Sequence, residues 1–151
     1  MLSTLERLLT LKTVSSFAEL PDEILTEMAG LLEELEVSEG AVIFHKGDPG
    51  SSLYVIVEGT VRVYDSHSTR NYLGPRDVFG EMALLDPEPR VASVAATCDT
   101  HLLRLNQEPF YELVNDRIEI TYGMIRVLAG YLRERVRDLN AAHAQLASLK
   151  G

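Results

Sequence analysis

The chain has one cysteine, Cys98, and so no internal disulfide. That points to a reducing compartment, and the cytoplasm is the expected setting. Positive charge is scarce: 14 Lys and Arg stand against 23 Asp and Glu, a net charge of −9. Nucleic acid and anionic membrane are poor partners for such a surface, because each needs a basic face. No apolar run approaches the length of a membrane span, which excludes direct insertion. The charged start Met1-Leu2-Ser3-Thr4-Leu5-Glu6-Arg7 is not a signal peptide. The four histidines (His45, His67, His101, His143) are scattered with no pair at metal-ligand spacing, so no metal is expected. No Ser-His-Asp or Cys-His grouping stands out and Cys98 has no base nearby in sequence, so an enzyme is not expected.

What is present is one domain's worth of chain, 151 residues with 46% apolar content, enough for a core. Leu2, Leu5, Leu8, Leu9 and Leu11 recur at helical spacing. Ser15 to Pro21 reads as a turn. Pro21-Asp22-Glu23 opens a second helix whose buried face is Ile24, Met28, Leu31 and Leu32. From about Glu33 the period becomes alternating. Leu35 and Val37, then Val42 and Phe44, mark short strands, with Gly40 between them and Lys46-Gly47-Asp48-Pro49-Gly50 a loop. Residues 53–58 and 60–64 read as a hairpin turning at Glu58-Gly59. Asp65 to Arg70 is polar and loop-like, and the last strands run from Arg90 to Ala96 and from His101 to Leu105. Many short strands punctuated by glycine imply a mainly β fold with flanking helices: an antiparallel jelly-roll β-barrel, N-terminal helices and a long C-terminal helix.

Helical signals restart at Gln107-Glu108-Pro109-Phe110. Ile125, Leu132, Leu139 and Leu146 recur every seventh residue, with Ala129, Val136 and His143 at the alternate seam position. This heptad suits a homodimer coiled coil, or an amphipathic helix lying on its own barrel. We expect the first half to pack on the barrel and the second to meet a partner. Arg126, Arg133, Arg135 and Arg137 are interspersed with acids and read as a solvated face.

The stretch with most chemistry is residues 79–93, Phe79-Gly80-Glu81-Met82-Ala83-Leu84-Leu85-Asp86-Pro87-Glu88-Pro89-Arg90-Val91-Ala92-Ser93. Gly80 permits close backbone approach. The turn after it offers N–H groups at a helix start, and Arg90 adds a permanent, forked charge suited to phosphate. Glu81 can accept hydrogen bonds from sugar hydroxyls. Together they form a cradle for a small phosphosugar.

These residues resemble the cyclic-nucleotide-binding domain family of catabolite activators, regulatory subunits of cyclic-AMP-dependent kinase and cyclic-nucleotide-gated channels. The resemblance runs from Phe17 through Gly40, Gly47-Asp48, Gly50, Leu53 to Ile56, Gly59 and Val61 to Val63. It peaks at Phe79 to Leu84 and Pro89 to Val94, and ends near Phe110 and Leu113. It implies a single domain over 1–151: N-terminal helices in 1–32, a barrel in 33–106 with the phosphate cassette at 79–93, and C-terminal helices in 107–151. By motif position Glu81 holds the ribose 2′-hydroxyl and Arg90 the cyclic phosphate. Phe79, Gly80, Met82, Ala83, Val91 and Ala92 line the cassette, Val63 and Leu73 wall the base, and Tyr131 stacks over it. Val91 lacks the hydroxyl the family associates with cyclic GMP, which tilts the ligand to cyclic AMP.

In two places the chain departs from the family. Arg76 stands before Asp77 where the family often has glycine, so an altered turn is expected, with Arg76 a solvated loop charge. The chain ends at Gly151 without a helix-turn-helix, so the expectation is a sensor module that is not itself a DNA-binding activator, free-standing or cut from a larger effector. The alternatives are a non-sensing dimerisation or docking module with the same fold, and a cyclic-GMP sensor.

Overall fold

The computed structural model describes residues 1–66 and 68–150; His67 and Gly151, placed above in a polar loop and at the chain end, lie outside the described residues. Helix α1 (Thr4–Leu11) starts at a capping box in which the Ser3 hydroxyl accepts from the Glu6 N–H and Glu6 returns the bond. A 3-10 turn (Ser15–Phe17) and α2 (Asp22–Ala29) follow. Three short strands come next: β1 (Glu33–Val37), β2 (Val42–Phe44) and β3 (Pro49–Gly50). Then come β4 (Ser52–Glu58), β5 (Val61–Asp65), β6 (Ser68–Leu73), β7 (Val78–Phe79) and the short helix α3 (Glu81–Leu85). The chain closes with β8 (Glu88–Pro89), β9 (Ser93–Ala96), β10 (Thr100–Asn106), α4 (Gln107–Asp116) and α5 (Glu119–Lys150).

The strands form two antiparallel four-stranded sheets, ordered β1-β10-β4-β7 and β2-β9-β5-β6, with β3 and β8 paired apart from them. The barrel expectation is corrected to that extent: among the described residues no ladder joins the two large sheets into a closed barrel. The sequence Leu53-Tyr54-Val55-Ile56 explains the layering. In a strand, successive side chains face opposite ways. Leu53 and Val55, with Leu103 and Leu105 of β10, pack under Leu11, Phe17, Leu25, Met28, Phe110 and Ile120 in the helical layer. Tyr54 and Ile56 face the other way, into a second core with Val61, Phe79, Val94 and Leu102 between the sheets. A strand buried on both faces reads as an unbroken apolar run.

Three expectations need adjustment. Leu11 is fully buried but Leu5 and Leu9 are exposed, so the first helix uses a narrower face than its leucines suggest. Leu25 joins Ile24 and Met28 in the core. Ser68 to Arg70, read as loop, belong to β6, which pairs with β5 as Tyr64 with Thr69 and Asp65 with Ser68. β6 lies at the sheet edge with all but Leu73 exposed, so it carries no apolar alternation to read. The hairpin at Gly59 is as expected. Its φ is 99°, and a Cβ there would meet the Thr100 Cα at 2.7 Å.

Candidate functional site: an arginine cavity beside α3

β7 delivers Phe79 against Tyr54 of β4, the rings stacked with centroids 4.9 Å apart. Gly80 then takes a left-handed φ of 76° and starts α3, and the Ala83 N–H donates to its carbonyl at 3.2 Å. A Cβ on Gly80 would lie 2.7 Å from both the Ser52 carbonyl oxygen and Arg90 Nη1, so this close approach requires glycine. After α3 the chain returns along the loop before β4. Pro89 pairs with Pro49, the Arg90 N–H donates to the Asp48 carbonyl at 2.8 Å, and the Gly47 N–H donates to the Arg90 carbonyl at 2.8 Å. The Lys46 N–H donates to the Ser93 hydroxyl at 2.8 Å. The arginine is thereby fixed at its backbone from both sides, although it precedes β9 rather than opening it.

Arg90 is 8% exposed. Its Nη2 donates to the Ser52 carbonyl at 3.0 Å and its Nε is buried without a hydrogen-bond partner. The guanidinium lies over the Phe44 ring, 4.2 Å from the centroid, and 5.9 Å from that of Tyr54. Among the described residues it has no carboxylate ion pair, in contrast to Arg104 with Glu33 and Arg117 with Glu27. Burial pushes its ionisation below the usual arginine range, opposed by the nearby Tyr54. A buried charge without a counter-ion is costly, and an anion arriving in the cavity would relieve that cost.

That cavity has a volume of about 610 Å³. Nine of the eleven residues expected at the site line it: Val63, Phe79, Gly80, Glu81, Met82, Ala83, Arg90, Val91 and Ala92. Glu81 is half-buried, while Met82 and Val91 are 66% and 75% exposed and form an apolar rim. The other two residues are elsewhere. Leu73 packs with the inter-sheet core and pairs across from Val61, because β6 runs on the far side of β5. Tyr131 sits half-exposed on α5, a helix that packs near its start on the 3-10 turn and α4. Residues that local reading missed are Phe44, Val78 and Val94 in the wall and Ser52 as the carbonyl partner of Arg90, while Asp86, Glu88 and Pro89, inside the 79–93 cassette but given no role there, stand at the rim. Phe44 and Ser52 stand about forty positions from Arg90, and no local spacing encodes such contacts. Only Arg90 among the lining residues is cationic, while Glu81, Asp86 and Glu88 are acids. The lining thus holds more acids than cations, and Arg90 is its point of attraction for an anion. Among the described residues no cluster of three or more His, Cys, Asp or Glu could hold a metal.

These features define a cavity walled by one buried arginine on a two-sheet antiparallel β fold, and comparison with known proteins gives the class a name. The cyclic nucleotide-binding domain model matches residues 34–117, and the chain belongs to that family. It is 37% identical over 107 residues to the cyclic AMP receptor protein of Thermus thermophilus, covering 68% of this chain and 50% of that one. It is 38% identical over 107 residues to a cyclic nucleotide-gated potassium channel of Mesorhizobium japonicum, covering 71% of this chain and 30% of the channel. Among solved structures, the N-terminal domain of a transcriptional regulator from Streptomyces coelicolor superposes with a TM-score of 0.81 at 31% identity, covering 86% of this chain and 94% of that domain. The chain thus spans half the length of the receptor and less of the channel. Its end at Gly151 therefore carries no argument about a DNA-reading segment. No helix among the described residues is long and apolar enough to cross a membrane.

Proposed function

We propose that this domain is a cyclic nucleotide sensor whose ligand is cyclic AMP. The observation that carries the reading is Arg90, buried at 8% exposure in the cavity beside α3, with Nε unsatisfied and, among the described residues, no carboxylate ion pair. In this reading the guanidinium pairs with the cyclic phosphate and Glu81 accepts from the ribose 2′-hydroxyl. Gly80, Met82, Ala83 and Ala92 cradle the phosphosugar, and Val63 meets the base. Val91 offers no hydroxyl to a guanine amino group, which would be left unpaired, and adenine is favoured. Tyr131 joins the site only if α5 shifts towards the cavity. The output is then a change in helix position, which requires the ligand to bind one arrangement better than the other. The strand order supports the jelly-roll winding: with β3 and β8 set aside, the first strand pairs with the eighth, the second with the seventh, the third with the sixth and the fourth with the fifth, as in a rolled long hairpin.

Titration calorimetry with cyclic AMP tests the reading. Charged hydrogen bonds contribute about 1.5–3 kcal/mol each, so Arg90→Ala is expected to lose at least about tenfold in affinity. Equal affinity in both proteins removes Arg90 from its role. A thermal-shift panel of cyclic AMP, cyclic GMP and cyclic di-GMP checks the base, since a ligand bound only by the native state raises Tm.

The second reading is a dimerisation module that senses nothing. It is favoured by the exposure of Ile125, Leu132, Leu139 and Leu146, at 55–66%. A dimer whose Tm ignores all three nucleotides would establish it.

A further inference from the structure

Resting on the reading of Arg90 as the phosphate ligand, we infer that Phe44 is the positioning residue that holds this guanidinium in the cavity before any anion arrives. A buried arginine normally keeps its place through a carboxylate. Arg90 has none among the described residues, and the one hydrogen bond its side chain makes runs to the Ser52 carbonyl. One carbonyl bond holds one edge of the guanidinium, and the Gly50 backbone packs against another, where a Cβ would collide with Nε. The flat face is held by the Phe44 ring, with the charge centre over it at 4.2 Å. An aromatic face attracts a cation through its quadrupole, and more so when water is excluded.

The ring is itself fixed. Phe44 pairs with Val94 across β2 and β9, and its ring meets Phe79 at 5.9 Å and Tyr54 at 6.0 Å. Tyr54 and Phe79 stack on each other at an interplanar angle of 8°. The arginine therefore rests on a three-ring platform that joins β2, β4 and β7. The Gly80 backbone approaches it as well, since a Cβ there would lie 2.7 Å from Nη1. Phosphate then meets a charge already in position, and little side-chain entropy is lost on binding.

A double-mutant cycle separates this role from simple contact between the ring and the nucleotide, because Phe44 also lines the cavity. Affinity for cyclic AMP is measured for wild type, Phe44→Leu, Arg90→Gln and the double variant. We expect Phe44→Leu to weaken binding about three- to thirtyfold in the wild-type background, the range of a cation–π contact, and less than about twofold once Arg90 is glutamine. Phe44→Tyr restores affinity to within about twofold. The same loss in both backgrounds, or no loss in either, overturns the inference. Phe44→Met replaces the leucine variant if that fails to fold. The NMR signal of the Arg90 Nε–H in ligand-free protein is a readout independent of binding: ring current shifts it in wild type, and the shift collapses in Phe44→Leu. An unmoved signal also overturns the inference. A wild type that binds no cyclic AMP overturns the proposed ligand instead, and the NMR arm still decides whether Phe44 holds Arg90.

Discussion

Arg76 occupies a backbone position that suits glycine. Gly74, Pro75, Arg76 and Asp77 form a turn closed by the Asp77 N–H donating to the Gly74 carbonyl at 3.0 Å. Proline stands second and the third residue has a φ of 75°, the geometry of a type II turn. The Asp77 carboxylate also accepts from the Gly74 N–H at 2.8 Å. The departure from the family's glycine therefore leaves the turn in place, and the backbone of Arg76 bears the strain while its side chain is exposed. A left-handed conformation costs an ordinary residue about 1–2 kcal/mol, and glycine returns about 0.4–1 of that through unfolded-state entropy. Arg76→Gly is expected to raise Tm by about 2 °C in thermal melts. Arg76 does not line the cavity, so affinity should stay within about twofold. A lower Tm would show that the side chain makes a compensating contact.

At the scale of elements, three strands of one sheet are tied together at Asp65, at the end of β5. Its carboxylate accepts from Lys46 Nζ, on the loop after β2, at 2.8 Å and from Arg70 Nη2, on β6, at 2.7 Å. The Lys46 bond first, then the Arg70 bond, hold its pKa below the ordinary aspartate value against the opposing effect of burial. A carboxylate with a depressed folded pKa contributes stability that is present above its unfolded pKa and lost as pH falls through the folded value. The group is half-buried at the sheet surface, within reach of solvent, so the effect is small and weakens with salt. In an NMR titration Asp65 should titrate below ordinary aspartates, and Lys46→Ala should move it back towards them. An unmoved midpoint would sink the assignment. The same region shows what the sequence makes legible. The doubly buried β4 and the hairpin at Gly59 are read from local pattern, as are α4 and α5. β6 is not, because an exposed edge strand needs no apolar face. β3 and β8 are two residues each and exist because two loops approach. The site divides in the same way. Glu81 and Arg90 sit within one contiguous motif, whereas Phe44 and Ser52 enter through sheet pairing. Tyr131 enters only through the family resemblance, and helix register alone does not say where a 32-residue helix points.

For the whole molecule, the longest run of exposed apolar side chains lies on α5. Its first turns are anchored: Ile120 and Met124 are buried, and a Cβ on Gly123 would meet the Leu20 side chain at 2.7 Å. From residue 131 to 149 every residue is exposed, including Leu132, Val136, Leu139, Leu146 and Leu149. The expectation that the first half of this helix packs on the barrel is therefore corrected: only its first turns are packed, beside the 3-10 turn and α4, and Ile125, Leu128 and Leu132 are already exposed. An isolated helical extension in water gains little from propensity alone, and tertiary or quaternary packing must supply the rest. A second copy of the same seam would supply it, since the heptad positions are self-complementary in a two-fold pair. Each leucine buried there is worth about 1.5–3 kcal/mol. Wild type should therefore scatter light as a dimer, with a Tm that rises with protein concentration. Leu132→Glu with Leu139→Glu should weaken dimerisation at least about a hundredfold, give a monomer mass and remove the concentration dependence. A wild type that scatters as a monomer at all concentrations would instead leave α5 as an extended arm, and the exposed leucines without a self-partner.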